Sequence, residues 1–333
     1  MTAPRRPRVR LVDGPTPLEP APRLSEALGV ELWIKRDDLA GPPLGGNKSR
    51  QLEYYLGAAQ ARDADVILIT GAVQSNFVRL AAACAARLGM QTIVQLEDRV
   101  PGRDAVYETS GNVLLDRLLG AEILRYPEGE DEAGADAALR ARAETLRAEG
   151  RRPYVIPLGL GNPPLGALGY MRAAEEILEQ AQRPYDALIV ASGSGLTHAG
   201  LLAGLRARGD ATPVFGGCVR RSAEAQAARL RQVLRDLADL APEAAAADAD
   251  DVLVRDGALA PGYGRLSPAG RRATDLAARS EGLLLDPVYT AKSFATIEEL
   301  RAEGALPNGA RVLFVHTGGL AALFAYGDVA LNG

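Results

Sequence analysis

The chain has 333 residues, 47% apolar and 24% charged, with a formal net charge of −4. That length suits two domains with ordinary cores, and the slight acidity excludes a basic footprint for nucleic acid or a basic membrane-binding face. Two histidines, His198 and His316, exclude a His-rich metal site, and the two distant cysteines, Cys84 and Cys218, read as small buried residues in a reducing compartment.

The start, MTAPRRPRVR, is basic but has no apolar run behind it, so it does not read as a secretory signal. No run approaches transmembrane length. The expectation is a soluble cytoplasmic protein. Residues 1–30 read as an arm with a strand over 9–12, a turn-like entry at Thr16-Pro17-Leu18 and a helix over 22–28. A strand over 31–35 follows, then the charged turn Arg36-Asp37-Asp38, whose carboxylates read as solvated.

The next stretch, LGGNKSR over 44–50, organises the rest. Gly45 and Gly46 allow positive φ and close backbone approach. Asn47 is a good N-cap, and Leu52, Tyr55, Leu56 and Ala59 recur at helical spacing. Lys48 is expected in the first turn of a helix, where positive potential favours its neutral, nucleophilic amine. From these residues alone, a solvated lysine opening a surface helix fits as well. GPPLGGNKS over 41–49 also nears the phosphate-loop pattern G-x-x-x-x-G-K-[ST], but the extra Asn47 moves the lysine off the phosphate.

From Lys48 onward helices and strands alternate. Strands are predicted over 66–70, 92–95, 122–125 and 154–156, and helices over 77–88 and 111–119. An exposed helix falls within 128–152, and the glycine- and proline-rich loop 158–170 reads as a crossover between domains. Beyond it come helix 168–182, strand 187–190, helix 198–206, strand 214–219, helix 222–240 and a low-complexity connector over 241–250. Helix 268–280, strand 283–285, helix 291–303 and strand 311–315 complete the pattern. Such alternation predicts an α/β fold with a mostly parallel sheet covered by helices on both faces.

Ligands collect at the carboxyl ends of parallel strands, and several chemistry-bearing turns follow predicted strands. Ser75 and Asn76 offer hydroxyl, amide and backbone N–H groups to an anion, or serve as an ordinary N-cap. Ser192 to Thr197 form a glycine-hydroxyl turn that suits one phosphate better than a dinucleotide, since the third glycine of that fingerprint is missing. Tyr289, in Asp286-Pro287-Val288-Tyr289, reads as a packed ring or a proton-transfer group. His316, in His316-Thr317-Gly318-Gly319, reads as a satisfied strand-end histidine.

The lysine of GGNKSR, the serine of QSN, the GSGLTHAG loop, DPVYTAKS and HTGG occur in this order over nearly the whole chain. Together they resemble the pyridoxal-phosphate (PLP) enzymes of fold type II, tryptophan synthase β-like, in the family containing ACC deaminase and D-cysteine desulfhydrase (ACC is 1-aminocyclopropane-1-carboxylate). The resemblance implies PLP as cofactor and two domains, each a mostly parallel twisted sheet flanked by helices. The larger would comprise residues 1–50 and 157–333, and the smaller, inserted one 51–156. Lys48 would be the cofactor-bearing lysine and general base, and Asn76 would bond the PLP 3′-oxygen. Ser194, Gly195, Leu196 and Thr197 would hold the phosphate. Ser75 would face the substrate at Cα, Tyr289 and Tyr263 would line its pocket, and Thr290 and Thr317 would lie near the pyridine nitrogen. A small amino-acid substrate and a homodimer are also implied, with no nucleic-acid or membrane partner.

Relatives often carry histidine or glutamine where this chain has Phe77, and a lysine where it has Gln51. ACC deaminases carry glutamate and leucine at the positions of Thr290 and Thr317. A carboxylate there keeps the ring nitrogen protonated and the electron sink strong; neutral hydroxyls leave a weaker sink. That sink suffices for an amino acid with a Cα proton and a β leaving group, but not for opening the ACC ring. The resemblance therefore implies β-elimination, D-cysteine to pyruvate, sulfide and ammonia, with L-cysteate sulfo-lyase or ACC deaminase chemistry as alternatives on the same scaffold.

Overall fold

Runs such as VILIT and ALIV carry no polar alternation, and the strands they form are buried at every residue, as parallel strands covered on both faces must be. The computed structural model describes residues 6–327; the ends of the predicted segments 1–50 and 157–333, at 1–5 and 328–333, lie outside them. The first half contains β1 (Leu18–Pro20), α1 (Pro22–Leu28), β2 (Glu31–Lys35), α2 (Lys48–Gln60), β3 (Val66–Ala72), α3 (Asn76–Arg87), β4 (Gln91–Glu97), α4 (Ala105–Thr109), α5 (Gly111–Leu118), β5 (Glu122–Tyr126), α6 (Glu132–Ala148) and β6 (Pro153–Ile156). The second contains α7 (Leu165–Gln180), β7 (Ala187–Ser192), α8 (Leu196–Ala207), β8 (Val214–Cys218), α9 (Ala223–Leu240), β9 (Leu253–Arg255), α10 (Pro268–Glu281), α11 (Thr290–Ala302), β10 (Arg311–Val315) and α12 (Leu320–Leu323).

Two sheets result. One has the order β1-β2-β10-β7-β8-β9 and is parallel except for the edge pair β1 and β2. The other, β5-β4-β3-β6, is wholly parallel and comes from the chain between α2 and α7. Leu52 and Leu56 of α2 and Leu80 of α3 pack on one face of the smaller sheet, and Leu139 and Leu146 of α6 on the other. The larger sheet carries Tyr170, Leu201 and Leu237 from α7, α8 and α9 on one face. Leu24, Ala277 and Phe294 from α1, α10 and α11 cover the opposite face. Among the described residues no helix is long and apolar enough to cross a membrane.

Several predicted elements change. Segment 9–12 is no strand: Val9 N donates to Glu53 O, and the Leu11 and Val12 N–H groups donate to the Glu53 carboxylate at 3.0 and 3.1 Å. Its backbone is satisfied by a helix, so it needs no sheet partner. Segment 283–285 is also irregular. Leu283 N caps the end of α10 through Ala277 O, and Leu284 O accepts from His316. The crossover loop shortens because α7 already starts at Leu165. Asp37, expected in water, is buried against Arg50 and Tyr170; Asp38 does pair with Arg36 nearer the surface.

Candidate active site

Leu44, Gly45 and Gly46 take three consecutive positive φ values, 61°, 49° and 129°. A Cβ on Gly45 would lie 1.9 Å from Asp38 O, and one on Gly318 would lie 2.9 Å from Gly46 Cα. The GGNK and HTGG turns therefore press backbone against backbone, and Asn47 N donates to Thr317 O at 3.0 Å. This contact sets Lys48 as the first residue of α2.

Asn47 takes the N-cap position, but its side chain does not cap. It already has helical angles (φ −53°, ψ −26°), and its Nδ2 donates to Thr197 Oγ1 at 2.9 Å instead. Burial pushes the Lys48 amine down to about 8; the depression anticipated from the helix terminus comes from desolvation. The Phe77 ring centroid lies 5.2 Å from Lys48 Nζ, and Gln51 Oε1 lies 3.5 Å away.

After β7 the chain turns through Gly195 (φ 94°) into α8. The first N–H groups of a helix have no carbonyl partner within it, and they favour an anion. Thr197 Oγ1 accepts from two amides, Asn47 Nδ2 at 2.9 Å and Gln51 Nε2 at 2.8 Å. With its lone pairs engaged, the hydroxyl proton is left for a further acceptor. Ser75 caps α3, its Oγ accepting from Val78 N at 3.3 Å, and also lines the cleft. Asn76 Oδ1 accepts from Asn112 Nδ2 at 3.0 Å.

Tyr289 and Tyr263 share a hydrogen bond of 2.6 Å. Burial pushes both phenols up, against the opposing pull of the Arg99 cation. Asp286 braces this corner by accepting from the backbone N–H groups of Val288, Tyr289 and Thr290 and from Thr290 Oγ1. The Thr290 hydroxyl is thus held inside the Asp286 turn. His316 is satisfied: Nδ1 accepts from Gly318 N at 3.2 Å, which leaves Nε2 to donate to Leu284 O at 3.1 Å. His198 bonds Val214 O at 3.0 Å, and burial pushes it down to about 4.

Lys48, Ser75, Asn76, Ser194, Gly195, Thr197, Tyr289 and Thr317 line one cleft, together with Phe77. Tyr263 lines a recess that shares Lys48, Ser75 and Tyr289 with it and also contains Arg99, Glu132, Arg220 and Arg221. Leu196 faces a neighbouring pocket, and Thr290 is buried away from the cleft lining. Sequence reasoning missed the contacts of Asn47 and Gln51 with Thr197, although residues four apart share one helix face. It also missed Arg79 and Asn112, which no local motif marks.

A model of the family described as pyridoxal-phosphate dependent enzyme matches residues 9–318. The chain is 41% identical over 324 residues to a D-cysteine desulfhydrase of Salmonella typhi, covering 97% of each sequence. The crystal structure of an ACC deaminase homologue superposes with a TM-score of 0.86 at 36% identity, covering 98% of this chain and 96% of that one. A fungal L-serine ammonia-lyase from Rhizomucor miehei, 19% identical with a TM-score of 0.66 over 97% of this chain and 100% of its own, shares the fold.

Proposed function

The chain belongs to the pyridoxal-phosphate dependent enzyme family, and from that premise we propose that it removes the β-substituent of a β-substituted amino acid, D-cysteine first, yielding pyruvate, sulfide and ammonia. The observation that carries this reading is Lys48: an amine on a half-buried side chain, pushed down to about 8 by desolvation, opposite a turn of glycines and hydroxyls at the start of α8. These residues fit PLP, since the cleft offers a nucleophilic amine and, at a helix N-terminus, donors for a phosphate. The similarity to D-cysteine desulfhydrases over nearly the full chain supports the substrate.

When bound, PLP supplies the electron sink for the elimination. Lys48 would hold the cofactor and, once displaced by the substrate amine, take the proton from Cα as general base. Ser194, Gly195, Leu196 and Thr197 would bind the phosphate, the last through its hydroxyl proton. Asn76 would donate to the 3′-oxygen, and Ser75 would face Cα. Tyr263 and Tyr289 would line the substrate side as a bonded pair. Thr317 would offer the pyridine nitrogen a neutral hydroxyl, a role also assigned to Thr290, whose hydroxyl now bonds Asp286. The Phe77 ring flanks the Lys48 amine.

A second reading has an observation of its own. Three arginines, Arg99, Arg220 and Arg221, and one carboxylate, Glu132, line the recess beside Tyr289. Arg99 also bridges to Glu97 and Arg220 to Glu130, so it is the N–H donors left over by these pairs, rather than a net charge, that suit an anionic β-substituent such as the sulfonate of L-cysteate.

We read the two sheets as two domains, 1–50 with 157–333 and 51–156, joined through α2, and the protein as a cytoplasmic homodimer. The unbridged, buried Cys84 and Cys218 support a reducing compartment. Dimerisation follows from the family resemblance, and light scattering on the eluted protein tests it.

The deciding experiment assays pyruvate from D-cysteine, L-cysteine and L-cysteate, and 2-oxobutyrate from ACC, with wild type and Lys48→Ala at saturating PLP. D-cysteine should be the best substrate, and Lys48→Ala should lose turnover. Turnover of cysteate alone would select the second reading. Robust ACC turnover would refute the argument from the two threonines, and an active Lys48→Ala would remove the lysine from the mechanism.

A further inference from the structure

Arg79 of α3 is fully buried and reaches out of the smaller sheet's core toward the lysine turn. It donates from Nη1 to Pro43 O at 2.6 Å, from Nη2 to Gly45 O at 3.3 Å and from Nε to Asn112 Oδ1 at 3.1 Å. A guanidinium has five N–H donors and no acceptor. The Asn112 atom that faces it must therefore be the carbonyl oxygen. The Asn112 amide nitrogen then points the other way and donates to Gln74 O and to Asn76 Oδ1, each at 3.0 Å.

The Asn112 backbone N–H closes the ring by donating to Gln74 Oε1 at 2.9 Å, while Gln74 Nε2 donates to Tyr107 O and Ser110 O. Every amide in this set has one orientation that satisfies it. Asn76, which lines the cleft, has its oxygen engaged from behind. Its Nδ2 is the end left for a ligand.

We propose that Arg79 and Asn112 are positioning residues: a donor-only arginine fixes the orientation of Asn112, which fixes that of Asn76, so that the cleft presents an N–H donor to an anionic oxygen. The same guanidinium holds the carbonyls of Pro43 and Gly45, and so keeps the Lys48 turn in register with that donor. The identity of the oxygen as PLP's rests on the reading above; the orientation of the amides does not.

Asn112→Asp tests this with a single-atom change. The carboxylate still accepts from Arg79, so the packing of α3 on α5 is retained. It can donate to neither Asn76 Oδ1 nor Gln74 O, so Gln74 O loses one donor, and Asn76 turns its own N–H back toward residue 112 and its oxygen toward the cleft. Titrated with pyridoxal phosphate, the Asn112→Asp apoprotein should bind at least about tenfold more weakly than wild-type apoprotein. Its melting temperature without cofactor should stay within a few degrees of wild type. Unchanged affinity overturns the proposal, and so does a large loss of melting temperature with affinity intact, since that describes a purely structural residue.

Arg79→Lys is the second variant. Lysine is also donor-only, so a folded Arg79→Lys should keep most of the affinity, whereas Arg79→Gln, which can present either end, should not. Neutron diffraction on the wild-type apoprotein judges the orientation directly. Deuterons of Asn76 directed at Asn112 would overturn the relay whatever the protein catalyses; failure of the wild type to take up pyridoxal phosphate would instead overturn the functional reading.

Discussion

Arg50 and Arg79 flank the lysine turn, both buried, and they are satisfied in opposite ways. Arg50 donates to two carboxylates, reaching Asp37 at 2.9 and 3.0 Å and Glu176 at 2.8 and 2.9 Å. Tyr170 and Thr16 also donate to Asp37, and Lys35 joins Glu176. Among the described residues Arg79 bonds only neutral acceptors. Its neighbouring carboxylate, Asp116, has no hydrogen-bond partner on either oxygen among the described residues. The electrostatics follow. Burial opposes the charge at both sites, but Asp37 and Glu176 outweigh it at Arg50, which is raised, while at Arg79 burial wins and pushes the guanidinium down to about 10. A carboxylate has two equivalent oxygens and transmits no direction. An amide has two different ends and does. The ionic cluster anchors α2; the neutral one orients the cleft.

The largest effect that could break this contrast is expected at Asp37. Asp37→Asn removes a buried charge from among Lys35, Arg50 and Glu176 and leaves two cations sharing one carboxylate. Removing one partner of a buried pair costs about 3–5 kcal/mol. Chemical denaturation should show that loss in the apoprotein, and a variant as stable as wild type would mean the cluster is no anchor.

Next comes Asp116. Burial pushes its carboxyl up to about 7, with Arg79 pulling the other way. A native carboxyl raised above its ordinary 3.8 holds a proton that the unfolded chain has already lost. Stability from this group is therefore present at low pH, declines as pH rises through about 4 to about 7, and is flat above. Asp116→Asn should remove that slope, so that the variant gains on wild type with rising pH, by up to about 4 kcal/mol at pH 8. Parallel pH–stability curves for the two proteins would show that Asp116 is ionised and solvated in the fold.

The same contrast explains what was legible in the sequence. The bounds of α1, β2 and β10 can be read to the residue because they are written locally, as with Pro22 opening α1 and Gly29 in the left-handed conformation closing it. Lys48, Ser75, Asn76, Thr197 and Tyr289 lie at or beside helix starts, so local sequence marked them as candidates, while their roles came only with the family resemblance. Leu283-Leu284-Leu285 looks like a strand whether or not its backbone has a sheet partner, and its groups are taken by α10 and His316. Arg79 and Asn112 lie 33 residues apart on different helices, and Asp37 and Tyr170 lie 133 apart. Neither pairing leaves a periodic or compositional trace, so the arginine relay and the burial of Asp37 become visible only in three dimensions.

The smallest effect is expected where the orienting device has a spare. Gln51 Nε2 and Asn47 Nδ2 both donate to Thr197 Oγ1, and together they turn the hydroxyl proton toward other acceptors. Gln51→Leu removes one donor and leaves the other, so the hydroxyl gains a rotational alternative without losing its preferred one. A neutral hydrogen bond contributes about 0.5–1.5 kcal/mol, which corresponds to a two- to tenfold weakening of pyridoxal phosphate binding. Asn47 should hold the actual loss near the lower end. Thr197→Val, which removes the donor itself, should weaken binding more than Gln51→Leu does. Equilibrium titration of the three apoproteins at one ionic strength measures both steps. If Gln51→Leu matches Thr197→Val, Asn47 is no spare, and the hydroxyl depends on a single amide, as Asn76 depends on Asn112.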